Sequence, residues 1–248
     1  MNTELTAVQP NAALPEFLRR KPVAGALAIY AAEVVCSVLL TLAFRALFPQ
    51  VQTEFVVLVG LAVLVALALS VLGWWKAAGF NPPSAWREAH LVVIPFVIVL
   101  GLPFLRGVKT TDWGTFFYLL AAYALTGFME EGLMRGIMLK VLQPLGVTRS
   151  VVISSLLFGL LHITNLLFRS PVIVAAQMLG AFVHGVGLAA IRLRTNTIWF
   201  VVILHALHDL CLKYTNFPAI PLDVVQVTLT MLYGIYLLKT WKRTPEAE

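Results

Sequence analysis

The sequence predicts an all-α, polytopic membrane bundle of about eight transmembrane helices, and three observations carry that expectation. Hydrophobic residues make up 60% of the chain and charged residues only 12%, where a soluble domain carries about a quarter. Apolar runs near the roughly 20 residues needed to cross a hydrocarbon core recur along the whole chain. The 18 basic residues gather at the ends of those runs. In a soluble protein the net charge of +6 would suggest a nucleic-acid partner. Here it marks topology, and membrane lipid rather than nucleic acid is the expected surrounding.

The chain divides into a polar N-terminal tail, 1–22, a membrane domain, 23–240, and a short polar tail, 241–248. The first tail ends in Arg19, Arg20 and Lys21, and the apolar run after it is too long for a signal-peptide core, so it is expected to stay as an anchor. Candidate spans follow at 23–44, 54–75, 90–105, 113–143, 149–168, 171–191, 196–213 and 220–239. The third is short and holds Pro95 and Pro103, which predicts a kinked, tilted or re-entrant segment. The fourth is long enough to continue past the membrane as an amphipathic extension. Cys36 and Cys211 both fall inside apolar runs and predict buried thiols, not a disulfide framework. No internal repeat or low-complexity stretch interrupts the pattern.

Orientation follows from the basic residues. With the N-terminus in the cytoplasm, that side receives Arg19, Arg20, Lys21, Lys76, Arg87, Lys140, Arg149, Arg192, Arg194, Lys239, Lys242 and Arg243. The opposite side receives only Arg45, Arg106, Lys109, Arg169 and Lys213, and Arg135 lies within a span. The excess predicts both termini in the cytoplasm of a multi-pass protein of the cell (inner) membrane, with an even number of crossings.

Four acids, Glu33, Glu130, Glu131 and Asp209, and four histidines, His162, His184, His205 and His208, fall within spans. A charge at the bilayer centre costs about 2.5 to 3.5 kcal/mol on insertion scales, so such residues persist mainly when paired or functional. On the fourth span Glu131 and Arg135 are four residues apart, a spacing that allows an ion pair, while Glu130 is rotated about 100° away and left available. The three could equally be a charge cluster that locks helices together. On the fifth span Phe158 and His162 share a face, so the aromatic ring can pack on the imidazole. On the seventh, His205 and Asp209 repeat the spacing, and a simple intrahelical pair would account for them. Measured from Lys140, Arg149 and Arg194, the residues Glu130, His162 and His205 lie at a similar depth of roughly 15 to 20 Å. That coincidence favours one shared, water-accessible site. His208 borders this group, and Glu33 could pair with Arg135 or His184 or belong to a separate polar seam.

The combination Glu-Glu-x-x-x-Arg at 130–135, Phe-x-x-x-His at 158–162 and His-x-x-x-Asp at 205–209 resembles the CPBP family of intramembrane proteases, also called Abi, which processes CAAX proteins and bacteriocins. The Ras-converting type of CAAX endoprotease is among its members, and the similarity covers 113–213. The resemblance implies a hydrolase that cuts peptide bonds in membrane-associated, prenylated or precursor proteins. It assigns Glu130 and His162 to activating the attacking water, with Glu130 as general base. His205 and Asp209 fall where the family stabilises the oxyanion, and Glu131 with Arg135 braces the site. The last motif position is often asparagine in the family, and Asp209 can donate only when protonated, so it could instead orient His205.

No cofactor is expected on this basis. A zinc enzyme using Glu130, His162 and His205 is the alternative, although the local His-Glu-x-x-His signature does not occur. A proton-coupled carrier or a non-catalytic membrane scaffold would also use buried polar groups.

Overall fold

A computed structural model describes residues 14–50, 53–83, 86, 89–167 and 169–240. The expected tails beyond those ends, and the basic residues Arg87, Lys242 and Arg243, lie outside the described residues. A short helix, α1 (Glu16–Arg20), precedes α2 (Pro22–Leu47), which starts on a proline whose fixed φ suits the first helical position. Next come α3 (Thr53–Val71) and α4 (His90–Gly101), and α4 runs on as a 3-10 turn to Arg106. Asp112 caps α5 (Trp113–Glu131) by accepting from Thr115 N–H at 2.9 Å and from its hydroxyl at 2.7 Å. Those bonds, the hydroxyl's first, hold the Asp112 carboxyl below its ordinary range. After α5 a π-helical turn, Gly132–Met138, leads into α6 (Leu139–Leu142). The chain continues through α7 (Val147–Leu161), a 3-10 segment His162–Leu167, α8 (Pro171–Thr195), α9 (Trp199–Tyr214) and α10 (Ala219–Lys239).

Among the described residues, five helical stretches are long and apolar enough to cross a membrane: Pro22–Leu47, Thr53–Val71, Val147–Leu166, Pro171–Thr195 and Ala219–Lys239. His90–Arg106 is a shorter apolar helix, with Pro95 inside it. The two remaining expected spans, α5 with its continuation and α9, carry Glu130, Glu131, Arg135, His205, His208 and Asp209. Large apolar side chains such as Leu39, Leu42, Leu67, Val97 and Val172 stand exposed on the outside of the bundle, where lipid takes the place of a core. The chain is an integral membrane protein built as an all-α polytopic bundle.

Two faces of the bundle can be told apart by their loop contacts. On one face Ile198 N–H donates to Gly79 O at 2.8 Å, and the Thr197 hydroxyl donates to Asn81 O at 2.7 Å. Leu18 of α1 approaches Gly25 and Val141 here, and the Tyr233 hydroxyl on α10 donates to Leu91 O. Both described ends of the chain therefore belong to this terminal face. On the far face the 106–109 and 214–216 segments are tied together, Lys109 N–H donating to Tyr214 O at 2.7 Å and Asn216 N–H to Gly107 O at 3.2 Å.

One expectation is corrected. The fourth span does not continue past the membrane as an amphipathic extension: every residue from Gly132 to Leu142 is buried, packed against α2, α3 and α7. Its apolar side chains surround the segment on all sides, which a solvated extension could not tolerate. Arg192, counted among the basic residues of the cytoplasmic side, is 3% exposed and donates to the carbonyls of Ala77 and Ala78 at 3.4 and 3.3 Å. It clamps the 73–83 loop.

Helix α8 lies against α10 at unusually close range. A Cβ on Gly187 would sit 2.5 Å from Thr230 O, and one on Gly234 2.7 Å from Gly187 O. Backbone meets backbone there, as at small-residue crossings of membrane helices. Gly187→Leu is expected to lower the thermal unfolding midpoint in detergent, the overpacking costing about 1 to 3 kcal/mol. Gly101→Ala, whose Cβ meets nothing within 4 Å, should leave the midpoint in place.

Candidate active site

At the site, the last turn of α5 meets α9. Gly127 permits the approach, since a Cβ there would lie 2.6 Å from Val202 O. One turn later comes Glu131, its side chain wholly buried, and its Oε1 accepts from two donors at once. Arg135 Nη1 donates to it at 3.0 Å and His205 Nδ1 at 2.8 Å. The expected ion pair is thus present and extends to a histidine from another helix. Arg135 lies on the π-helical turn, a deviation common at functional positions and one that the sequence pattern did not announce.

The ring of Phe158, 2% exposed, connects the three motif helices. Arg135 stacks over it with Cζ 4.2 Å from the centroid, a cation–π contact in a dry setting. His162 and His205 meet it edge to face at 5.5 and 6.0 Å between centroids. His162 Nδ1 donates to Phe158 O at 3.2 Å, so the neutral ring turns an unprotonated Nε2 away from the helix. In His205 the bond from Nδ1 to a carboxylate leaves Nε2 facing the other acids, 3.6 Å from Glu130 Oε2 and 3.9 Å from Asp209 Oδ2.

Glu130, Glu131, Arg135, Phe158, His162, His205 and Asp209 are therefore brought together. Glu130 interacts electrostatically with His205, His162, Asp209 and Glu131, and it keeps 18% of its side chain exposed. Asp209 does not hold His205 through Nδ1; Glu131 does, from the neighbouring helix and at shorter range. Glu33 interacts electrostatically with Glu130, a further carboxylate in the neighbourhood of the site.

A polar cavity of about 160 Å³ opens beside these groups, lined among others by His162, Gln177, His184, His205, His208 and Asp209. Asp223 also lines it, accepting from His208 Nε2 at 3.0 Å. Sequence position alone put Asp223 at the end of a span, outside the motifs. The missed signal was its place four residues into α10, one turn inside the helix, where a free carboxylate is expensive. The His184 ring meets His208 at a tilt and His205 edge to face, with centroids 4.8 and 5.8 Å apart.

The arrangement can supply an imidazole acceptor and an imidazole donor on one polar cavity, with the Glu130 carboxylate 3.6 Å from the donor ring. Among the described residues, no group of three or more His, Cys, Asp or Glu side chains is arranged to hold a metal ion.

Residues 112–211 match the family model described as type II CAAX prenyl endopeptidase, Rce1-like. That is the family the three motifs resemble, and the matched stretch contains all seven motif residues while ending before Asp223. Searches of curated proteins and of solved structures return no match.

Removing one member of a buried ion pair strands its partner. Arg135→Met is expected to cost about 3 to 5 kcal/mol, read as a lower unfolding midpoint, because buried Glu131 loses its guanidinium partner and keeps only His205. Adding Glu131→Gln to it should recover part of that loss, and strict additivity of the two changes would contradict the coupling.

Proposed function

We propose that the chain is an intramembrane endopeptidase of the CAAX type, in which a glutamate-activated water hydrolyses a peptide bond of a membrane-associated protein. The observation that carries this reading is the different acceptor that each histidine's Nδ1 finds. His162 gives its Nδ1 proton to a carbonyl and so offers Nε2 as an acceptor, whereas His205 is held by a carboxylate and presents Nε2 toward the cluster of acids. One accepts protons and the other can donate.

In the proposed reaction, Glu130 and His162 take a proton from water in the cavity as its oxygen attacks the peptide carbonyl. The carbonyl oxygen becomes an oxyanion, and doubly protonated His205 donates to it through Nε2. Glu131, Glu130 and Asp209 around the ring balance that positive charge. Collapse of the tetrahedral intermediate breaks the C–N bond, and the proton held by Glu130 and His162 passes to the leaving amine. A carboxylate on one product and an amine on the other balance the water consumed. Glu131 and Arg135 position the donor without touching substrate.

This mechanism uses no metal. The proposed orientation has both termini in the cytoplasm and the protein in the cell (inner) membrane, and the excess of basic residues on that side supports it.

Purified protein in lipid is expected to cleave a membrane-anchored peptide. Glu130→Gln and His162→Ala should each lower the rate at least about 100-fold while the unfolding midpoint is kept. Wild-type rates in Glu130→Gln would remove the base, and solute flux without cleavage would favour a carrier. Chelators should leave the rate unchanged; inhibition reversed by zinc would replace this mechanism with a metal-dependent one.

A further inference from the structure

Away from the histidines, three cations from three parts of the chain converge on one small space. Arg135 from the π-helical turn, Lys140 from α6 and Arg192 from α8 line a cavity of about 20 Å³, together with Ala77, Gln143 and Ser150. All three cations are buried, and no residue lining the cavity is acidic.

Their partners leave positive charge unanswered. Arg135 gives Nη1 to Glu131, which also accepts from His205, while its buried Nε and Nη2 have no hydrogen-bond partner among the described residues. Lys140 Nζ donates to the neutral Gln143 Oε1 at 3.3 Å. Arg192 donates Nε to Ala78 O, Nη2 to Ala77 O and Nη1 to Asn196 Oδ1, at 3.3, 3.4 and 3.4 Å, and all three acceptors are neutral. Its guanidinium is packed on the 73–83 loop, where a Cβ on Gly79 would lie 2.3 Å from Nε. Among the described residues no carboxylate acts on Lys140 or Arg192. Neutral dipoles satisfy the hydrogen bonds of a buried cation but not its charge, which persists away from water only when an opposite charge answers it.

We infer that this cavity is a halide site, holding one chloride ion between Arg135, Lys140 and Arg192. Charge selects an anion, and size selects a monatomic one. A volume of 20 Å³ is room for about one particle of water's size, too little for a phosphate, a carboxylate or a lipid headgroup. The ion shares Arg135 with Glu131, so through one guanidinium it reaches the pair that positions His205. It ties α6, α8 and the 73–83 loop together by charge, and its effect is on stability rather than on a step of peptide cleavage. The site does not depend on the hydrolase reading.

The test uses full-length protein in detergent, exchanged into sodium gluconate and titrated with sodium chloride at constant ionic strength. Chloride is expected to raise the unfolding midpoint by at least about 3 °C and to saturate, bromide to do the same, and phosphate not to. Equilibrium binding of ³⁶Cl⁻ should find one ion per chain, displaced by bromide and not by gluconate. Lys140→Gln, which removes a cation and keeps a donor, should weaken that binding at least about tenfold. Arg149→Gln, at an exposed position on α7, should leave it unchanged. A midpoint that is the same in chloride and gluconate would overturn the site, as would binding that Lys140→Gln leaves undiminished or that Arg149→Gln weakens equally. Absence of saturable ³⁶Cl⁻ binding to the unaltered chain would overturn it too, and that result stands even where Lys140→Gln fails to fold.

Discussion

One buried oxygen organises this protein: Glu131 Oε1, which accepts from Arg135 on its own helical stretch and from His205 on α9. A carboxylate with no exposed surface inside a membrane bundle is tolerable only when charge and hydrogen bonding are both answered. Arg135 answers the charge, and His205 completes the hydrogen bonding of that atom. Because the partners come from different helices, the requirement also fixes where α5 and α9 meet and which way the imidazole faces. Gly127 supplies the clearance for that meeting. The arginine is fixed in turn by the face of Phe158, so a third helix is drawn into the same constraint.

Two histidines of the same type thereby acquire different tasks. The partner of Nδ1 decides each case: a backbone carbonyl for His162 and a carboxylate for His205. Glu130 sits next to both without belonging to the ion pair. Its carboxylate keeps some exposure, which a base that must meet water requires. The division of labour depends on the neighbouring glutamates being unlike, one locked and one left in reach.

Much of this was legible in the sequence. Apolar runs gave the bundle, and four-residue spacings put Glu131 with Arg135 and Phe158 with His162, because those contacts lie within one helix and follow from its geometry. Contacts between helices were harder to foresee. Nothing in a His-x-x-x-Asp spacing indicates that His205 turns its Nδ1 to Glu131 instead of to Asp209, since that choice is made by the crossing of α5 and α9. The burial of Arg192 was not legible because its carbonyl partners lie more than 100 residues away. Asp223 lay outside every motif, and only the folding of α10 against α9 brings it to His208. The buried continuation of α5 was misjudged for a related reason: length suggested an extension, but 132–142 is the part of the helix most enclosed by its neighbours.

Water attack guided by Glu130 is the central claim, and isotope transfer in a single turnover tests it most directly. Enzyme in excess over an anchored peptide, reacting in ¹⁸O-labelled water, should place one ¹⁸O in the new product carboxylate and none in Glu130, as read by mass spectrometry of both. Label found in the Glu130 side chain would show that the carboxylate itself attacks the peptide, and would contradict the account.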